Sequence, residues 1–263
     1  LNIPHSIITD QHARPSNMHR IEYMAQLRNR ALEPLYRHNH THRFAQVVFL
    51  NDIFFCATDV LELLSQSRIH RAHLTCAEDY QMRHGALVFY DTWVSRDILG
   101  NPFKSHYLNI ADDPTALVAH LNNRPYQVQC CWNGLAVIDA QVFMHPHDIR
   151  FRRSVSGECS ASECSLLCND MWAAGMHRMI VVPLAKVAYD VETRVFLESS
   201  GLIEHKALAS NASKSHKIDF RTGPKAVYCH PLNDPAATIP DGPASYVAIA
   251  DTGLYTATAV HDL

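Results

Sequence analysis

The sequence predicts an α/β fold, with a mostly parallel sheet and helices on both faces. Three observations carry this prediction. The continuous apolar runs Gln46-Val47-Val48-Phe49-Leu50 and Met179-Ile180-Val181-Val182 read as strands buried on both faces. Other stretches, such as Met18 to Tyr36, place apolar residues near a 3.6-residue period with charges between them. The two kinds of segment alternate along the chain, as in folds built from strand–helix–strand units.

The elements follow in order. Ser6-Ile7-Ile8-Thr9 reads as a short strand, and Asp10 to Asn17 as a polar loop. A helix is predicted from Met18 to Tyr36, with Ile21, Met24, Ala31, Leu32 and Leu35 on its apolar side and Pro34 near its end. The strand 46–50 stops abruptly at Asn51-Asp52, and Thr58 is placed to cap a helix from Asp59 to Gln66. Short strands are expected at 73–76 and 87–94. Pro114 opens a helix reaching Leu121. Trp132-Asn133-Gly134 is a turn leading into a strand at 135–138. Ser160 or Ser162 caps a helix from Glu163 to Ala174, which Gly175 ends. The run 179–182 is the last predicted core strand. Five prolines fall between Pro224 and Pro243. Residues 1–223 are therefore expected to form the domain, and 224–263 a Pro-rich segment wrapping it.

Composition narrows the function. The chain has 263 residues, 47% apolar and 19% charged. That provides a sizeable core and excludes global disorder. With 23 Lys+Arg against 26 Asp+Glu the net charge is −3, which argues against a protein held to nucleic acid by bulk charge. No apolar run approaches the roughly 18 residues of a membrane span. Leu1-Asn2-Ile3-Pro4-His5 has neither the basic start nor the apolar core of a signal peptide. Without an initiator Met, the chain is expected to be a fragment, with any anchor upstream. Gly-x-Gly-x-x-Gly, the Walker loop, His-Glu-x-x-His and Gly-x-Ser-x-Gly are all absent, which removes four common enzyme readings. The eight cysteines include no C-x-x-C pair. They read as buried thiols, with one or two disulfides expected if the chain is secretory. The sequons at Asn39 and Asn211 lean toward a secretory route. His38, His40 and His42 form the densest group of the 18 histidines and read as a solvated loop.

Ligands of parallel α/β sheets bind beyond the carboxyl ends of the strands. Asn51-Asp52 stands at such an end, where an acid can hold a divalent cation against a phosphate, or simply make a turn. Glu78-Asp79 follows the next strand and could bind sugar hydroxyls or metal, with a solvated turn as the alternative; Asp91 lies inside the strand after it, amid aromatics, where a buried carboxylate needs a partner. Glu163 begins a helix, where the dipole favours a carboxylate whether or not it has a chemical role. Trp132-Asn133-Gly134 could let backbone approach a ligand, and His230 is a candidate metal ligand in a late loop.

In combination, these segments resemble the fungal capsule-type α-1,3-mannosyltransferases, glycosyltransferase family 69. The resemblance rests on His19 to Leu35, Val48-Phe49-Leu50-Asn51-Asp52-Ile53-Phe54-Phe55-Cys56, Phe89 to Asp97, Cys131-Trp132-Asn133-Gly134, Ala161-Ser162-Glu163-Cys164 and Val227-Tyr228-Cys229-His230-Pro231, in the family's order. It implies a GT-A-like, Rossmann-type fold and retaining transfer of mannose from GDP-mannose to a mannose-containing glycan, forming an α-1,3 linkage. It also implies Mn2+ or Mg2+, and a Golgi-lumenal domain of a type II membrane protein. Where such enzymes carry Asp-x-Asp, this chain has Leu50-Asn51-Asp52, leaving Asp52 as the main metal ligand, with His230 as a second. Glu163 and Asp91 are the implied catalytic residues. Arg28, Asn29, Asn51, Asp79, Trp132, Asn133 and Gly134 are the implied donor contacts. The first strand–helix–strand unit of such a fold is expected to be missing from the chain. The alternatives are an inactive sugar-binding or scaffolding relative, and the same fold using another donor such as UDP-xylose.

Overall fold

The computed structural model describes residues 5, 7–9, 13–37, 44–155, 158–203, 217–232 and 245–248. The first long element is α1 (Arg20–Ala31), whose His19 side chain accepts the Ile21 N–H at 3.2 Å. A short α2 (Glu33–Arg37) follows. The single helix expected over 18–36 is thus two, because Pro34 brings no N–H to the carbonyl four residues back. Ile7 to Thr9 are not a strand; they are irregular and exposed, and Ser6 lies outside the described residues.

Next come β1 (Gln46–Leu50) and α3 (Ala57–His70). Helix α3 starts earlier than Thr58 would have it. Its N-cap is Cys56, whose N–H donates to the Asp59 carboxylate at 2.6 Å. The strands β2 (Leu74–Arg83) and β3 (Ala86–Phe89) form a hairpin. It turns at His84 and Gly85, both left-handed (φ 51° and 78°), a backbone suited to a two-residue hairpin loop. Then follow β4 (Arg96–Asp97), α4 (Pro114–Leu121), β5 (Tyr126–Cys130) and β6 (Leu135–Asp139). The chain continues through α5 (Glu163–Ala173), β7 (Met179–Ala188), α6 (Val191–Ser199), β8 (Ala226–Cys229) and β9 (Ser245–Ala248).

A seven-stranded sheet runs in the order β1-β6-β2-β7-β5-β4, with β3 pairing β2. Its centre is the parallel pair of its two longest strands, β2 and β7. The flanking pairs β1–β6, β6–β2, β7–β5 and β5–β4 are antiparallel. The α/β class therefore stands, with the parallel register concentrated in the middle. Strand β1, read as buried on both faces, is an edge strand with β6 as its neighbour, and its side chains are only half-buried or exposed. The sheet is covered on both faces. Ala136 and Ile138 of β6, with Met179 and Val181 of β7, pack with residues of α1, α4 and α5. Their alternates Leu135, Val137, Ile180 and Val182 pack with Leu63 of α3, as the two-residue period of a strand requires.

Three disulfides are present among the described residues: Cys76–Cys131, Cys130–Cys168 and Cys159–Cys229. Cys56 and Cys164 are free. This exceeds the expected one or two bonds, because strand alternation sends the neighbours Cys130 and Cys131 to different partners. Among the described residues, no helix is long and apolar enough to cross a membrane.

Candidate active site

The carboxyl ends of β1, β3 and β7 open into a cleft of about 540 Å3. Helix α1 forms one wall. Arg20, Met24, Leu27, Arg28 and Ala31 line it, a spacing of three and four residues that places them on one helical face. The opposite wall comes from four places: Asn51 and Asp52 after β1, Asp91 and Trp93 in the loop after β3, Ser162 and Glu163 at the start of α5, and Tyr189 just after β7. Two guanidinium groups and three carboxylates thus share one cleft, with Arg28 and Glu163 in direct contact.

Glu163 and Arg28 are the best-defined pair. Glu163 is 4% exposed. Its Oε1 accepts Arg28 Nε at 2.8 Å, and its Oε2 accepts the Ser162 hydroxyl at 3.2 Å. Ser162 caps α5, accepting the Cys164 N–H, so the same turn that starts the helix aims the acid. Arg28 also lies over aromatic rings, with Cζ 4.3 Å from the Trp132 ring centroid and 5.6 Å from that of Phe151. Burial alone would lower the Arg28 pKa, but the neighbouring Cys164 and Glu163 outweigh it and raise it. The guanidinium is always charged here. Among the described residues only its Nε makes a hydrogen bond, which leaves the outer nitrogens toward the cleft.

Asp91 is held by backbone. Its Oδ1 accepts Val94 N–H at 2.9 Å and its Oδ2 accepts Asn133 N–H at 3.3 Å. Asp79 lies behind it, fully buried, with Oδ1 accepting the Asp91 N–H at 3.1 Å, Oδ2 making no geometric hydrogen bond among the described residues, and the Tyr189 hydroxyl nearby favouring its charged form. Burial and then the Asp91 charge push the Asp79 pKa well above the usual carboxylate range. Burial also raises Asp91, but the N–H groups of Val94 and Asn133 and the charge of Arg96 oppose it. Both carboxyls are therefore raised, Asp79 the further of the two.

Of the sequence-predicted residues, Arg28, Asn51, Asp52, Asp91, Trp132 and Glu163 line the cleft. Asn29 does not. Its amide donates to the Phe151 carbonyl at 2.8 Å and accepts the Phe151 N–H at 3.0 Å, clamping the irregular segment at Phe151 instead of a donor. Asp79 is screened by Asp91, and Asn133 is fully buried, donating to the Ala77 carbonyl at 2.7 Å. Gly134 keeps the turn tight: at φ +71°, an added Cβ would stand 2.7 Å from Ile53 Cγ2 and 3.0 Å from the Tyr189 hydroxyl oxygen. The structure does not bring His230 to Asp52; His230 lines a different cavity. Sequence reasoning missed Arg20 and Tyr189. The strand-end rule that pointed to Asp52 also points to Tyr189, one residue beyond a ten-residue buried strand. His38, His40, His42 and both sequons lie outside the described residues.

No group of three or more His, Cys, Asp or Glu able to hold a metal occurs among the described residues. Asp52 is exposed and has no hydrogen bond or ion pair among them. A hard cation can be held this way, by one carboxylate with its other ligands drawn from water and phosphate.

A solved structure of GalNAc-T7 with UDP, GalNAc and Mn2+ shows a loose likeness, with TM-score 0.39 and 12% identity over 64% of this chain and 30% of that one. An alpha-1,3-mannosyltransferase of Cryptococcus neoformans, CMT1, is 35% identical over 233 residues, which is 81% of this chain and 50% of that protein. The chain therefore spans about half the length of this curated relative. The family model described as Cryptococcal mannosyltransferase 1 matches residues 1–170, the part that carries α1, β1 and the Asp91 loop and reaches through the start of α5. With well over half of the chain matched, including nearly every residue of the cleft, the chain belongs to the cryptococcal mannosyltransferase 1 family.

Proposed function

We propose that the chain is the catalytic domain of a retaining mannosyltransferase that moves mannose from GDP-mannose to a glycan, forming an α-1,3 linkage. The observation that carries this reading is the cleft at the strand ends, with Arg20 and Arg28 on one wall and Asp52, Asp91 and Glu163 on the other. A nucleoside diphosphate sugar matches both walls, because its phosphates need cations and its hydroxyls need fixed acceptors. The outer nitrogens of Arg28 bind the diphosphate and stabilise it as the leaving group gains charge. Asp91, oriented by two backbone N–H groups, accepts from the sugar hydroxyls. Glu163, kept in one rotamer by Arg28 and Ser162, stands beside the anomeric carbon and stabilises its positive character. A divalent cation, Mn2+ or Mg2+, would be held by Asp52 and would neutralise the diphosphate charge. Three disulfides favour an oxidising compartment, which supports the Golgi lumen as the site of action.

The test is release of GDP from GDP-mannose by the chain with its native N-terminus, in the presence of Mn2+. Turnover with GDP-mannose, and not with UDP-xylose, supports the reading. Tight donor binding with no turnover under any donor would identify an inactive sugar-binding relative instead.

A further inference from the structure

A second cavity, of about 570 Å3, lies on the far side of Trp93, which lines both spaces. The start of α5 completes the partition. Glu163 and Cys164 face the first cleft, while Ser165 and Leu166 face the second. Trp93 is fixed in this position, since its indole N–H donates to the His230 carbonyl at 2.8 Å. The far wall is the β8–β9 pair, where Tyr228 and Tyr246 meet edge to face with centroids 5.3 Å apart.

The chemistry of this lining differs from that of the first cleft. Among the described residues its Glu and Arg side chains are largely engaged with the protein. Both Glu158 oxygens are held by Arg152, at 2.7 and 2.9 Å. Arg96 donates to the carbonyls of Tyr228 and Ser95, at 2.6 and 2.8 Å. Also lining the space are three aromatic rings, the His230 ring, several aliphatic side chains, the amides of Gln129 and Asn169 and the hydroxyl of Ser165. The Gln129 amide donates to the Asn169 side-chain oxygen at 3.0 Å, which leaves the Asn169 side-chain N–H groups and the Gln129 side-chain oxygen for a ligand. Among the described residues the cations it offers an anionic nucleotide are the His230 ring and Arg96, which is buried and already donates to the carbonyls of Tyr228, Thr92 and Ser95. Aromatic faces with neutral planar hydrogen-bonding groups suit the apolar faces and hydroxyls of a sugar chain.

We propose that this cavity binds the neutral oligosaccharide that accepts the transferred sugar, its reacting end passing Trp93 toward Glu163. The acceptor role rests on the transferase reading above; the glycan site itself does not. The test is calorimetric titration of α-1,3-linked mannotriose, and separately of GDP-mannose with Mn2+, into the wild type and into Tyr246→Ala, Asn169→Ala and Ser165→Trp, the last filling the cavity from its rim. We expect mannotriose affinity to fall tenfold or more in each variant, with GDP-mannose affinity unchanged within twofold. Because Tyr246 lies on β9 while Asn169 and Ser165 lie on α5, misfolding of one variant leaves another element to decide, with melting curves showing which are folded. A wild type that fails to bind mannotriose, or folded variants that bind it equally well, would overturn the site. A wild type that binds mannotriose but not GDP-mannose would sink the transferase reading and leave the glycan site standing.

Discussion

Arg28 and Glu163 use each other to hold still. Each group needs a fixed position in the cleft, and the Nε–Oε1 bond at 2.8 Å supplies it to both. Replacing Glu163 by Gln keeps the shape and removes the charge. Transfer should then fall by roughly 100-fold or more, the scale of losing one preorganised electrostatic group. The donor KM should change only a few-fold, because the charge matters most as the anomeric carbon becomes positive. Steady-state kinetics on GDP-mannose would check this, and an equal loss in kcat and donor affinity would reassign Glu163 to donor holding. Asp52→Ala tests the cation. The side chain is exposed and bonds nothing among the described residues, so stability should stay within about 0.5 kcal/mol of the wild type, while Mn2+-dependent turnover is lost. A melting curve and a Mn2+ titration of activity would report the two halves separately. At this scale the sequence was informative about residue types at strand ends, and so Asp52 and Asp91 were legible. It was silent on whether a side chain faces the cleft or lies one layer behind. Asp79 and Asn133 were misread for that reason: both sit beside the cleft and spend themselves on its backbone.

Between β2 and α4 lies a buried ionic contact that the proposed chemistry does not use. His120 Nδ1 is 2.8 Å from Glu78 Oε1, and its Nε2 is 2.8 Å from the Tyr107 carbonyl oxygen. Both ring nitrogens face acceptors, so both carry hydrogen and the ring is an imidazolium. Burial would lower the His120 pKa, and Lys186 works in the same direction, but Glu78 overcomes them and raises it. Burial likewise opposes the Glu78 charge, yet His120 holds its pKa below the usual range. The signs follow from linkage. The stabilisation from His120 is fully present below the pKa of an unfolded histidine, and it is lost as pH rises through the raised folded value. The stabilisation from Glu78 is present above the unfolded glutamate pKa and is lost as pH falls through the lowered one. His120→Gln should therefore lower Tm at pH 6 by more than at pH 9, in a pH series of melting curves on both proteins. An equal drop at both ends would show that the ring is neutral. Elements were legible where periodicity was strong. The apolar run at 46–50 marks β1 to the residue, and Pro114 and Ser162 mark α4 and α5. Strand β5 was not legible, because its Gln127 and Gln129 look solvated. They are buried, and Arg221 and Asn169 satisfy them from distant segments. The edge position of β1 was hidden too, since a strand's neighbours are set by the path of the whole chain.

For the molecule as a whole, the disulfides cross-link what the sheet alone leaves separable. Cys130–Cys168 ties β5 to α5, and Cys159–Cys229 ties β8 to the loop before α5, across 38 and 70 residues of sequence. Closing such loops is worth about 2–4 kcal/mol per bond, mainly through the unfolded chain. The double variant Cys130→Ser/Cys168→Ser should lose stability of that order in a urea titration, and a drop below about 0.5 kcal/mol would show the bond to be dispensable. The adjacency of Cys130 and Cys131 has a practical consequence. Six cysteines can pair in fifteen ways, and two neighbouring thiols offer every partner nearly the same reach. Swapping the partners of 130 and 131 would join β2 to the residue whose side chain belongs on the α5 side, and so turn the Trp132–Gly134 corner out of place. The cleft thus depends on a choice between adjacent sulfurs. A bacterial cytosol makes that choice poorly, so recombinant material should be produced along a secretory route with a disulfide isomerase, and its pairing mapped by peptide mass analysis before any silent preparation is taken for an inactive enzyme.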